Sequence, residues 1–136
     1  MEKKDLVGDI ATKEWVLNKA IREIKRDYNS YGSWVVYSNG YAEYFGSRTV
    51  YMNITSAYGS LFIGTYDWAF PFTFTAAPTV HLREAKWGTG ASWGSIIDAT
   101  TSKAQIRVYD IASRNNSTGT YLGIYAKGKV DISNFI

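Results

Sequence analysis

Gly32-Ser33-Trp34-Val35-Val36-Tyr37-Ser38-Asn39-Gly40-Tyr41-Ala42-Glu43-Tyr44-Phe45-Gly46 is the stretch that decides the fold. Two strand-like runs meet at Asn39-Gly40. Both central residues of a type I′ turn need positive φ, which Asn and Gly tolerate best, so the dipeptide predicts a tight hairpin. Within the runs, Trp34 and Val36 alternate with Val35 and Tyr37, and Tyr41, Glu43 and Phe45 alternate with Ala42 and Tyr44. The same period of two continues downstream. Val50, Met52 and Ile54 predict a further strand, and others are expected over residues 61–63, 66–70, 79–84, 92–99, 104–111 and 121–130. Pro71 and Pro78 lack a ladder donor and belong at strand starts, bulges or turns. Residues 114–119 read as an exposed loop. About ten short strands with regular turn signals imply a mainly β fold, an antiparallel β-sandwich or jelly-roll-like barrel. Trp34, Phe45, Phe72 and Phe74 sit at alternating positions and are expected in its core.

Composition excludes several chemistries. The 136 residues suffice for one domain with a real core. With no cysteine, neither a disulfide framework nor a thiolate metal site can form. The single histidine, His81, leaves one candidate imidazole base and reads as a packed or hydrogen-bonded strand residue. No cofactor and no metal are expected. No apolar run approaches the roughly 20 residues that cross a bilayer, and Met1-Glu2-Lys3-Lys4-Asp5 leads into no signal-peptide core, so membrane insertion and export are not expected. A net charge of +3 without a basic cluster argues against a nucleic-acid partner.

Charge divides the chain in two. Seven of the fifteen Lys and Arg residues and six of the twelve acids fall within residues 1–28. There Thr12 can cap a helix with Glu14 in its first turn. Ile10, Leu17, Ile21, Ile24 and Tyr28 then recur at the spacing of a coiled-coil seam, flanked by Lys19, Arg22, Glu23, Lys25 and Arg26. Such a helix either gathers several chains on one axis or covers the domain's own sheet. Residues 1–31 are therefore expected to be a linker and helix, and 32–136 a β-rich domain.

Four phrases carry a family resemblance. Ala11-Thr12-Lys13-Glu14-Trp15-Val16 is similar to the segment that opens the short helix before phage tail-fibre tips. The hairpin Trp34 to Gly46 resembles the opening of the C-terminal head domains of bacteriophage tail fibres and receptor-binding proteins. Phe70-Pro71-Phe72-Thr73-Phe74-Thr75-Ala76-Ala77-Pro78-Thr79-Val80 and Tyr125-Ala126-Lys127-Gly128-Lys129 resemble later phrases of the same family, in the same order. The stretch from residue 86 to 116 matches none of them. The resemblance implies a homotrimer that associates with other phage tail proteins, with residues 1–31 as a linker and trimerisation helix and 32–136 as the β-rich receptor-binding head domain. It implies a component of the virion tail, made in the host cytoplasm, that attaches to host cell-surface polysaccharide.

No nucleophile elbow, phosphate loop or zinc motif is present, so an enzyme is not expected. The body's acids, Glu43, Asp67, Glu84, Asp98, Asp110 and Asp131, are scattered, and a glycosidase pair among them would need a separation that sequence does not reveal. Aromatics are the stronger lead, because 16% aromatic content exceeds what a small core absorbs. Trp87 and Trp93 flank a Gly-rich loop, and with Arg83 as polar partner they form the candidate saccharide platform. Each ring could equally fold over the sheet or into a subunit contact. The function expected is attachment to carbohydrate without cleavage. A purely structural trimerisation module and a polysaccharide depolymerase are the alternatives.

Overall fold

The computed structural model describes residues 20–136. Two antiparallel sheets pack face to face around one core. The first has the order β1-β2-β3-β9-β6 and the second β4-β5-β8-β7. The strands are β1 (Glu23–Asn29), β2 (Gly32–Tyr37), β3 (Tyr41–Val50), β4 (Ser56–Tyr58), β5 (Leu61–Ala69), β6 (Thr79–Trp87), β7 (Ser92–Ala99), β8 (Lys103–Asp110) and β9 (Thr120–Lys129), followed by a 3-10 turn at Ile132–Asn134. Antiparallel sheets bury one face, and the alternation shows it. Along β8, Ala104, Ile106, Val108 and Asp110 are buried while Lys103, Gln105, Arg107 and Tyr109 point outward. Along β9, Leu122, Ile124 and Ala126 are fully buried.

The two sheets are joined through Trp68 of β5 and Tyr44 of β3, both shut off from solvent. Trp68 Nε1 donates to Tyr44 Oη at 3.1 Å, so the largest ring in the core leaves no donor unsatisfied. Burial pushes the Tyr44 phenol above its ordinary range. Gly46 is where this pair fits, since a Cβ there would stand 2.6 Å from both Trp68 Cζ2 and Tyr44 Oη.

The opening hairpin forms as expected, with Val36 opposite Ala42 and Trp34 opposite Tyr44. Its turn is not of type I′. Gly40 alone takes positive φ, at 84°, and no non-glycine residue does among those described. Ser38, Asn39 and Gly40 form a three-residue connection, closed by Gly40 N donating to Tyr37 O at 3.0 Å, and Asn39 Oδ1 accepts from Tyr41 N at 3.2 Å. Asn39 contributes its side chain rather than an unusual backbone.

The helix expected to run on to Tyr28 is not formed over the described residues. Glu23–Asn29 is an edge strand paired with β2. Ile10 and Leu17 lie outside the described residues. The rest of the seam is dispersed: Ile21 is exposed ahead of the strand, Ile24 packs against the core, and Tyr28 is 78% exposed. Ile24 is itself the unpaired residue of a bulge between Glu23 and Lys25, and Tyr28 pairs with Ser33. Charged residues discourage interior strands but protect an edge from pairing with other chains, which is where these sit. Two smaller expectations also fail. Phe45 is 43% exposed on the outer face of β3, and Val50 to Ile54 is no strand: Val50 ends β3, and Ile54 makes one isolated bridge to Arg114.

Candidate functional site

The outer face of the four-stranded sheet carries an aromatic ledge. Strand register sets Trp93 of β7 beside Tyr109 of β8, and Tyr109 beside Ile63 of β5. Trp93 and Tyr109 stack with ring centroids 5.7 Å apart and planes 11° from parallel. Tyr58 meets Tyr109 edge-on at 6.1 Å. Trp93 and Tyr58 are about half exposed. Polar groups stand in the next row. Arg107 lies over the Tyr58 ring at 5.5 Å, and Ser95 Oγ is 3.3 Å from Tyr109 Oη. The hydrogen bond to Ser95, with Arg107 beside it, holds the Tyr109 phenol below its ordinary range. A flat apolar surface with a cation and hydroxyls at its margin suits a ring whose own face is apolar and whose rim is hydroxylated.

Of the three residues the sequence singled out, only Trp93 belongs to this ledge. Trp87, at the end of β6, is a clasp. Its Nε1 donates to Asn115 O at 2.9 Å, and the Arg114 guanidinium lies 4.8 Å over its ring. Arg114 Nε is 3.2 Å from Asp110 Oδ1, an ion pair. The Asp110 carboxylate, fully buried, also accepts from Ser92 Oγ at 2.7 Å and Ala112 N at 2.9 Å. Burial opposes its ionisation, yet these hydrogen bonds and Arg114 hold its carboxyl below the usual range. Trp87 thus fastens the loop after β8 to the β6–β7 corner. Arg83 stands exposed at the bulge between Leu82 and Glu84 in the other sheet, and no ring contact or hydrogen bond joins it to either tryptophan among the described residues.

Tyr58, Arg107 and Tyr109 escaped the sequence reading. A signal for two of them was present, since the alternation of Ala104, Ile106 and Val108 with Gln105, Arg107 and Tyr109 puts the latter on one outward face. Nothing local marks Tyr58, whose three-residue strand is recognisable only from its pairing with β5.

A second outward cluster lies on the five-stranded sheet. Phe45 meets Tyr125 at 4.9 Å, and His81, exposed, stacks on the other side of Tyr125 at 6.2 Å. Tyr125 Oη donates to Glu43 Oε2 at 2.6 Å. Hydrogen bonds from Tyr125 and, secondarily, Tyr37 hold the Glu43 carboxyl below its ordinary range. Burial and the Glu43 charge push the Tyr125 phenol up to about 12. The pair is a fixed donor and acceptor, not a proton-transfer couple poised near neutrality.

No protein-family profile and no curated protein matches the sequence. Solved structures do match in fold. The N-truncated R1-type pyocin tail fibre superposes with a TM-score of 0.55 at 12% identity, over 79% of this chain and 84% of that one. A longer C-terminal piece of the P. aeruginosa R1 pyocin fibre gives a TM-score of 0.54 at 14% identity, over 77% of this chain and 28% of that one. At such identities the likeness is one of fold. The matched structures are tail fibres, the kind of protein that the four sequence phrases resemble, and the first of those phrases, over residues 11–16, lies outside the described residues. Among the described residues, no helix is long and apolar enough to cross a membrane.

Proposed function

We propose that this protein is a receptor-binding head of a phage tail fibre or baseplate protein, a homotrimer in the virion tail that attaches to host cell-surface carbohydrate without cleaving it. The observation that carries the reading is the exposed Tyr58–Tyr109–Trp93 ledge with Arg107 and Ser95 at its margin, on a sandwich that shares the fold of pyocin tail fibres. Many copies of a shallow site on one particle gain avidity without high affinity at each. Phe45 and Tyr125, on the opposite sheet, supply apolar surface for a subunit contact, which leaves the ledge free. Glu43, its carboxyl held below the ordinary range by Tyr125 and Tyr37, would be a poor general acid for a leaving glycoside.

Fluorescently labelled full chain incubated with a panel of bacteria tests the reading. Periodate oxidation of the cell surface should abolish adsorption, and Trp93→Ala should weaken it at least fivefold while the melting temperature holds. Adsorption that survives oxidation of the glycans would rule the carbohydrate out. Full adsorption by Trp93→Ala would remove the ledge from it.

A further inference from the structure

At the end of the sandwich away from the ledge, a groove of about 370 Å³ opens between β1, β2 and the segments that follow β5 and β9. Its apolar wall is a run of three rings. Trp34 meets Phe72 at 5.9 Å and Phe72 meets Phe135 at 5.4 Å, each at a steep angle, so their edges and faces line a trough rather than a flat plate. All three rings are only partly buried, although each packs against the core on its other side. The opposite wall is polar and comes from one edge strand. Lys25 and Asp27 lie two residues apart on β1, opposite Val36 and Trp34 in register, and so project to the same side. Asn134 closes the end.

These polar groups are not consumed by the fold. Asp27 Oδ1 accepts from Tyr28 N at 2.8 Å, which fixes the carboxylate and leaves its second oxygen open. Lys25 joins no ion pair among the described residues, although Asp27 is its neighbour on the strand. A fixed acceptor and a free donor therefore rise from Cα atoms roughly 7 Å apart, the two-residue repeat of a strand. The flexible Lys25 stem lets its ammonium swing toward the carboxylate, so that the two can reach neighbouring hydroxyls of one sugar ring while the three aromatic rings meet its apolar C–H face. An anionic ligand would face the Asp27 charge, and a cationic one the Lys25 charge. A neutral polyol ring satisfies both.

We infer that this groove is a second glycan subsite, taking one neutral hexopyranose unit with two adjacent free hydroxyls. Asp27 accepts from one hydroxyl, Lys25 donates to the next, and Trp34, Phe72 and Phe135 hold the ring. The assignment rests on the carbohydrate reading above but uses a different surface, on a different sheet, from the ledge.

Two-dimensional 1H–15N spectra of the full chain resolve its indole N–H groups, including those of Trp34, Trp68 and Trp93. Titration with the methyl pyranosides of glucose, galactose, mannose and N-acetylglucosamine, each to tens of millimolar, should move the Trp34 signal saturably for at least one sugar. Trp68, buried against Tyr44, serves as the unshifted reference. Asp27→Ala should weaken that response at least tenfold with an unchanged melting temperature. No Trp34 response to any of the four sugars, or an unchanged one in Asp27→Ala, overturns the subsite. A Trp93 response without a Trp34 response does the same, while leaving the carbohydrate reading standing. If adsorption to cells survives periodate and no indole moves, both fall together.

Discussion

Asp110→Asn tests whether the corner beside the ledge is held by one buried charge. The native carboxylate is inaccessible to solvent and serves three partners: Ser92 Oγ at 2.7 Å, Ala112 N at 2.9 Å and Arg114 Nε at 3.2 Å. An amide of the same shape keeps the bond from Ala112. It turns an N–H toward Ser92, whose hydroxyl already accepts from Trp87 N at 3.2 Å, and it leaves the Arg114 guanidinium without a counter-ion. Loss of a charged partner to a hydrogen bond costs about 1.5–3 kcal/mol, and breaking a buried ion pair about 3–5 kcal/mol. Arg114 keeps a quarter of its side-chain surface in water, which softens the second figure. The expected destabilisation is about 2–3 kcal/mol, a fall in melting temperature of roughly 6–15 °C for a domain of this size. Thermal unfolding followed by near-UV circular dichroism reads it, since Trp87 shares the network. The pH dependence supplies a second check. The folded carboxyl titrates below its unfolded value, so its contribution is complete above the unfolded value near pH 4 and fades as pH falls through the folded one. The deficit of the variant should be level from pH 5 to 8 and shrink below about pH 4. A melting temperature within 2 °C of wild type at pH 7, or a deficit that persists undiminished in acid, would refute the network.

Gly46→Ala should destabilise by about 1–3 kcal/mol, because its methyl would stand 2.6 Å from Trp68 and Tyr44; a denaturant midpoint equal to that of wild type would mean the core yields there. Gly40→Val should cost about 1–3 kcal/mol through strain at φ 84°, although a Cβ there has room, and an unchanged melting curve would show that the turn adapts. Trp87→Ala should lower stability by about 3 kcal/mol by removing a partly buried ring and the indole donor to Asn115 O. Trp93→Ala, in contrast, should stay within about 1 kcal/mol of wild type in chemical denaturation; similar losses for the two would erase the distinction between clasp and ledge.

How much of this was legible in the sequence depended on whether one period could be told from another. The strand expected over 104–111 was readable because Ala104, Ile106 and Val108 alternate with Gln105, Arg107 and Tyr109, and the apolar three do end on the buried face. Ile24 and Tyr28 were not, because a spacing of four satisfies a helix and a strand equally. Only the step of three from Ile21 to Ile24 favoured the helix, and Ile21 lies ahead of β1. The charges that made residues 21–28 look helical have another use at a sheet edge, where Arg26 instead pairs with Glu23 at 2.6 Å across the bulge. Phe45 was misplaced for a related reason. Alternation shows which residues share a face but not which face is buried, and Tyr44, with Gly46 beside it, took the inner one. The ledge was the least legible feature, since it joins residues of β4, β7 and β8 that only sheet order brings together.

The surplus of aromatic residues, read from composition as a single signal, divides by the fate of the polar handle on each ring. Trp68 and Trp87 each give the indole N–H to a protein oxygen, Tyr44 Oη and Asn115 O, and each is thereby tied into the fold. A ring bound in this way has little left to offer a ligand except at the cost of the bond. Trp34 and Trp93 have no such acceptor among the described hydrogen bonds, and each instead sits beside other rings at a partly open surface. Proximity to a Gly-rich loop therefore misled for Trp87, because Gly88, with φ 46°, returns the chain so that the ring can be clasped. Hydrogen-bond satisfaction separates the four rings where position along the chain does not. The open pair lies at opposite ends of the sandwich, Trp93 stacked on Tyr109 and Trp34 in a trough that Lys25 also lines. A polysaccharide strand touching both would be held at two points by weak contacts, and neither site alone would need the affinity of the whole.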